Sequence, residues 1–235
     1  MAKNSWFQFK QFRIEQARAP MKVGTDGVLL GAWTNTEGAN HILDVGTGTG
    51  LVALMLAQRS TACIDTVELH KAAADDAREN FANSPWNDRL TLYCDDFRLF
   101  QEYCNSRYDL IVSNPPFFVN SLKSADPDLA IARHTDTLSF EELIHGSKRL
   151  LKENGRLAVI IPSASFDEFR ESARLSGFYL HKLVSVIPKT GKPTKRVLLE
   201  FSLLPGYPET SELVIHKNLH GYTDEFIELT RDFYL

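Results

Sequence analysis

The nine residues "LDVGTGTGL", Leu43 to Leu51, lead an apolar run into a helical pattern through glycines at every second position. Asp44 stands at the end of the run. Gly46, Gly48 and Gly50 then remove the Cβ atoms, so that a ligand can lie against the backbone close to a helix N-terminus. A turn of this kind also serves simply to pack a helix on a strand. The G-x-G-x-G spacing differs from the G-x-G-x-x-G of dinucleotide-binding turns, which counts against NAD.

Outward from this turn, short apolar runs alternate with helical patterns. "HILDVG", "IDTVEL", "LTLYCDD", "YDLIVSN" and "GRLAVIIP" have the length and composition of buried strands. The clearest helix between them runs from Ser139 to Leu151. Ser139 is its N-cap, Glu142 the partner of a capping box, and Phe140, Leu143, Ile144, Ser147, Leu150 and Leu151 form one stripe, with Gly155 beyond the end. Ser165 and Glu168 repeat the device before a helix closing near Gly177. Continuous apolar strands alternating with crossover helices predict a doubly wound, mostly parallel sheet with helices on both faces. "YLHKLVSVIP" and "KRVLLEFSLL", separated by "KTGKPT", predict a late hairpin, so the sheet acquires an antiparallel last strand. "FQFKQFRI" alternates like one half-exposed strand and "TDEFIELTRDF" like a capped amphipathic helix.

The chain has 235 residues, of which 43% are hydrophobic and 24% charged, enough for one sizeable core. "MAKNSWFQFKQF" holds no long apolar segment, no stretch approaches the ~20 apolar residues of a membrane span, and a cytoplasmic protein is expected. Cys63, Cys94 and Cys104 form no ligand cluster, so no metal is expected and the thiols read as reduced and structural. A net charge of −4 excludes binding to nucleic acid through the overall field and leaves local patches. Two are basic: Lys3, Lys10, Arg13, Arg18 and Lys22, near Trp6, Phe7, Phe9 and Phe12, and Lys182, Lys189, Lys192, Lys195 and Arg196 around the hairpin. Either suits RNA phosphates and loop bases.

Acidic residues recur where strands end. Glu68, after "IDTV", is placed to accept hydrogen bonds from ribose hydroxyls, and Asp95 or Asp96 in "YCDDF" from an adenine amino group, with Phe97 covering the ring. The fourth strand leaves through "SNPPFF", Ser113 to Phe118. Pro115 and Pro116 cannot donate to a ladder, so the strand stops at Asn114 and leaves a stiff corner rich in acceptors. The Asn114 side-chain oxygen and the Pro115 carbonyl suit the two hydrogens of one planar NH2 group, with Phe117 or Phe118 stacking on its ring. This is chemistry for positioning an exocyclic amine against an electrophile without a strong base.

Taken together, "DVGTGTG", Glu68, "DDF" and "NPPF" resemble S-adenosylmethionine-dependent methyltransferases of the amino-group class. "MKVGTDGVLLGAW", "NPPFF" and "ARHTDTLSFEEL" narrow the resemblance to the bacterial tRNA(Val) adenine-37 N6-methyltransferase family, through nearly the whole chain. It implies a Rossmann-like seven-stranded α/β sheet, with Asp44, Gly46, Gly48, Gly50, Glu68, Asp95, Asp96, Phe97 and Asn114 around S-adenosylmethionine. It implies that Asn114, Pro115 and Phe117 hold the adenine, Phe117 standing where many relatives carry Tyr. Lys22, Gly24, Thr25 and Asp26 match the family's N-terminal motif beside the methionine end of the cofactor. From the residues alone, Thr25 or Asp26 equally reads as a helix cap. Arg133 and His134 border the adenine pocket or contact phosphate in this picture. A single methyltransferase domain over 1–235 is expected, with a strand appendage at 1–20, a cofactor core at 21–165, the hairpin at 178–204 and a C-terminal appendage at 205–235. The expected partner is tRNA, bound by a monomer. Methylation of a protein glutamine or of guanine N2 in ribosomal RNA is the alternative, and an idle RNA-binding module the alternative outside enzymes.

Overall fold

The computed structural model describes residues 4–115, 138–217 and 220–234. Eight strands form one sheet: β3 (His41–Val45), β4 (Cys63–Val67), β5 (Leu90–Tyr93), β6 (Tyr108–Ser113), β7 (Leu151–Pro162), β8 (Tyr179–Lys189), β9 (Arg196–Ser202) and β10 (Glu209–His216). They lie in the order β10-β8-β9-β7-β6-β3-β4-β5. β9 runs antiparallel to both of its neighbours, and every other pairing in the sheet is parallel. The order steps outward from β3 in both directions, so the carboxyl ends of β3 and β6 meet at the switch point where open α/β sheets bind ligands.

Both faces are covered. Alternate residues of the central strands feed two cores. Ile42, Leu110, Val112, Ala158 and Ile160 pack with α1 (Thr25–Trp33) and α2 (Leu51–Arg59). Leu43, Val45, Ile111, Leu157 and Val159 pack with α4 (Phe97–Tyr103), α5 (Phe140–Leu150) and α6 (Phe166–Leu175), after α3 (Lys71–Ala82) has crossed from β4 to β5. A two-residue period inside strands buried on both sides explains why they read as unbroken apolar runs. Among the described residues no helix is long and apolar enough to cross a membrane.

The mostly parallel sheet, its helices and its antiparallel strand are as the sequence predicts. The strand count is eight rather than seven, because β10 adds to β8 in parallel at the edge. The start of the chain is two three-residue strands, β1 (Trp6–Gln8) and β2 (Arg13–Glu15), paired as a separate antiparallel hairpin, not the single strand expected. α5 carries its capping box: the Ser139 hydroxyl accepts from the Glu142 amide and the Glu142 carboxylate from the Ser139 amide. The device is not repeated at Ser165, whose side chain makes no capping bond, since a 3-10 turn at Ser163–Ser165 already leads into α6. The final helix, α7 (Asp224–Thr230), is capped by Thr223 as read. The three cysteines are free thiols; Cys63 and Cys94 are exposed, so neither has a core role.

Candidate active site

The glycine turn is built by β3 and α2 together. Gly46, Gly48 and Gly50 all take positive φ, at 73°, 58° and 84°. Their roles divide by what surrounds them. A Cβ on Gly50 would lie 2.4 Å from the Phe81 ring, so this glycine lets α3 press against the turn. At Gly46 and Gly48 nothing lies within 4 Å of an added Cβ: the backbone borders open space. Asp44 is buried beneath them and does not line that space. Its carboxylate accepts from the Thr47 hydroxyl at 2.7 Å and from the Ala53 amide, tying the turn to the first residues of α2. Burial is the main cause that pushes its carboxyl from 3.8 up to about 7, with the nearby Glu68 charge adding to it.

Glu68 follows β4 directly. Its two oxygens accept from the Gly48 and His70 amides, each at 2.8 Å, so the carboxylate holds the outer limb of the turn while it lines the cavity. Asp95 accepts from the Asp96 amide at 2.8 Å and from the Tyr103 hydroxyl at 2.6 Å, a bond that pushes the tyrosine up to about 12. Asp96 caps α4 through the Arg98 amide and takes the Arg98 guanidinium on both oxygens; this hydrogen bond is the main reason its carboxyl stays below the usual range. Phe97 turns into the core beneath.

Asn114 and Pro115 face these acids from the other side. Ser113 pairs with Val45 across the sheet, and its hydroxyl donates to the Val45 carbonyl at 2.8 Å, which pins the corner beside Gly46. The Asn114 Oδ1 is buried and has no hydrogen-bond partner among the described residues. Buried acceptors rarely go unsatisfied, and one at the rim of a cavity points to a donor brought by a ligand. Phe117, Phe118, Pro116, Arg133 and His134 lie outside the described residues.

One cavity of about 340 Å³ gathers Gly46, Gly48, Glu68, Asp95, Asp96, Phe97, Asn114 and Pro115. Ala19, Pro20, Met21 and Leu138 also line it. Asp44 and Gly50 support the turn from outside the cavity. Lys22 and Thr25 do not reach it. The Lys22 ammonium instead donates to the carbonyls of Gln16, Ala17 and Ala19, knotting the segment that carries Pro20 and Met21. Thr25 opens α1 without capping it, and Asp26 pairs with Arg196 at 2.8 Å. Two residues absent from the sequence reading, Asp76 and Asn80, hold the wall in place. Buried Asp76 accepts from the Arg18 and Ala19 amides at 2.9 and 2.8 Å. Asn80 bridges Glu15 of β2 to the Thr49 carbonyl of the glycine turn. The available signal was two polar residues four apart within the Ala73, Ala77 and Phe81 stripe of α3.

The expected aromatic RNA surface at the N-terminus is overturned for two of its rings. Phe9 and Phe12 are buried and stack on each other at 4.7 Å, with Phe9 also on Tyr234. The described cations of that segment are engaged as well: Arg13 with Glu15 and over the Trp6 ring, Arg18 with Asp76 and Glu79, and Lys10 on the Arg231 carbonyl; Lys3 lies outside the described residues. Around the late hairpin, Lys182 pairs with buried Glu200, while Lys189, Lys192 and Lys195 are exposed.

A glycine cradle open where side chains are missing, an acid at the end of each of two adjacent strands and, opposite them, a carboxamide oxygen without a partner among the described residues fit S-adenosylmethionine bound next to an amine. The comparisons agree. Residues 21–169 match the family model described as "Methyltransferase small domain". A tRNA1(Val) (adenine(37)-N6)-methyltransferase of Bacteroides fragilis is 48% identical over 231 residues, 98% of each chain. One of Aeromonas hydrophila is 47% identical over 240 residues, covering 100% of this chain and 99% of its own. Among solved structures, a protein of Agrobacterium tumefaciens described as a predicted O-methyltransferase superposes with a TM-score of 0.71 over 88% of this chain and 96% of its own; at 19% identity it supports the fold alone. The chain therefore belongs to the methyltransferase small-domain family and, within it, to the tRNA1(Val) (adenine(37)-N6)-methyltransferases.

Proposed function

We propose that the protein methylates N6 of adenine 37 in tRNA(Val), next to the anticodon, using S-adenosylmethionine, and that it does so as a cytoplasmic monomer. The observation that carries the assignment is the buried Asn114 Oδ1, without a hydrogen-bond partner among the described residues, at the rim of the glycine cradle. When bound, S-adenosylmethionine supplies an electrophilic methyl group on a sulfonium. Gly46 and Gly48 give it backbone to lie against, and Glu68 with Asp95 or Asp96 accepts hydrogen bonds from its hydroxyl and amino groups.

The protein's catalytic task is to present the amine. The adenine N6 lone pair is delocalised into the ring, which makes it a poor nucleophile. Asn114 Oδ1 takes one amine hydrogen and the Pro115 carbonyl the other, favouring a pyramidal nitrogen whose lone pair points at the methyl group. The same two oxygens stabilise the positive charge that grows on nitrogen as the bond forms. The proton then leaves to solvent, so no strong base is required. Phe117 is proposed to stack on the base. An anticodon-loop adenine is already single-stranded, which keeps the unstacking cost low. The test is incubation with labelled S-adenosylmethionine and tRNA from cells lacking the gene, followed by mass spectrometry of nucleosides. N6-methyladenosine at position 37 of tRNA(Val) is the expected product; label on a guanosine or a protein glutamine overturns the assignment.

A further inference from the structure

A second cavity, of about 260 Å³, opens at the same edge of the sheet but on the far side of β7. The carboxyl ends of β8 and β10 and the start of β9 form its floor, and the first turn of α1 forms one side. Neighbouring strands lie ~4.8 Å apart, so the start of β9 is about 10 Å across the sheet from β6, after which Asn114 follows. Three features of the cavity point to one ligand class. The first is a ladder of rings: Phe226 stacks on Tyr222 at 4.7 Å, and Tyr222 on His216 at 4.8 Å, leaving exposed His216 at the open end. The second is cationic: Lys189 and Lys192 are the two ends of a turn closed from the Lys192 amide to the Lys189 carbonyl, and Lys195, just beyond it, lines the cavity. The third is size. The volume is below the ~300–1,000 Å³ of pockets that enclose drug-sized ligands, and suits one ring system.

We propose that this cavity is an RNA subsite that holds a base flanking the target adenine, stacked on the outer face of His216, with the phosphates beside it on Lys189 and Lys192. Stacking on a ring with cations along the backbone is how single-stranded nucleic acid is gripped without sequence readout. An acidic chain needs such a local patch to hold a polyanion. The subsite rests on the RNA assignment above and adds to it the place where the neighbouring nucleotide goes. It also gives the C-terminal residues a role: β10 supplies His216, and the segment leading into α7 supplies Tyr222.

The experiment is steady-state methylation of an unmodified tRNA(Val) transcript by the full chain and two variants. His216→Ala is expected to raise the KM for the transcript roughly five- to a hundred-fold, the span of alanine substitutions at single base-stacking positions. The double variant Lys189→Gln, Lys192→Gln is expected to flatten the slope of log affinity against log salt by about 0.7 per lysine. Both should bind S-adenosylmethionine with the parent's affinity in calorimetry, which also shows that they fold. Parent-like KM and salt slope overturn the subsite, and are the values expected if the cavity takes a protein partner. Failure of the parent to methylate the transcript instead overturns the RNA assignment itself, and the subsite with it.

Discussion

Asn114 Oδ1 and the Asp44 carboxylate are both buried polar groups at strand ends, yet their surroundings suit them to opposite tasks. Among the described residues the Asn114 Oδ1 has no partner at the cavity rim, whereas both Asp44 partners lie within the protein. Asn114→Ala removes the acceptor proposed for the amine and leaves the glycine turn untouched. It should lower kcat about 10²–10³-fold, as loss of one transition-state hydrogen bond does, with the S-adenosylmethionine Kd little changed; a Kd that rises as far as kcat falls would place Asn114 on the cofactor. Asp44 predicts a pH effect on stability. Its folded carboxyl is raised from 3.8 to about 7, mainly by burial. The native state therefore retains a proton that the unfolded chain releases, so this contribution to stability is full below pH 3.8 and is lost as pH rises through about 7. Unfolding in urea should show a loss between about pH 5 and about pH 7 that is ~2–3 kcal/mol smaller in Asp44→Asn. Equal pH slopes would show that the carboxyl is already charged in the fold.

α3 shows how an element remote from the chemistry shapes the site. Its buried face carries Asp76 and Asn80, which hold the segment before α1 against the cavity. Asp76→Ala leaves the buried Ala19 amide without an acceptor, at a cost of roughly 1–3 kcal/mol. It should also weaken S-adenosylmethionine binding, because Pro20 and Met21 lose their anchor; stability loss with unchanged affinity would remove that segment from the site. Elements with strong local signals were legible in the sequence. The Ser139 capping box satisfies its own backbone groups, so tertiary context had nothing to override, and the glycine turn carries its signal in three residues that all take positive φ. β10 was missed because only Leu213 and Ile215 of its eight residues are buried, too few to show a period of two. The N-terminal hairpin was read as one strand because its rings alternate across the turn, and Phe9 and Phe12 are buried by Tyr234 and Trp86, which no local pattern reveals. Lys22 and Thr25 were placed at the cofactor by resemblance; the lysine instead ends on three carbonyls of its own loop.

Across the whole molecule, the candidate site occupies one edge of the sheet while the remainder supports it, so a ligand bound at that edge should stabilise all of it. The glycine cradle, the acids after β4 and β5 and the corner after β6 belong to separate crossovers that become one site only in the folded chain. The unfolded chain has no such site, so saturating S-adenosylmethionine should stabilise the protein by ~2.7 kcal/mol at a hundred times its Kd. For a chain of this length that corresponds to a rise in Tm of about 5–10 °C. Two variants separate the cradle from the corner. A Cβ at Gly48 projects into the open space bordered by the turn, and φ there is 58°, so Gly48→Ala both strains the backbone and obstructs the cofactor. Its own Tm should fall and most of the ligand-induced rise should disappear. Asn114→Ala should keep the full rise, since its proposed partner is the amine of the RNA. Differential scanning calorimetry with and without S-adenosylmethionine reads both outcomes. A full ligand-induced rise in Gly48→Ala, or its loss in Asn114→Ala, would mean that cofactor and adenine are held on the opposite sides of the cavity from those assigned.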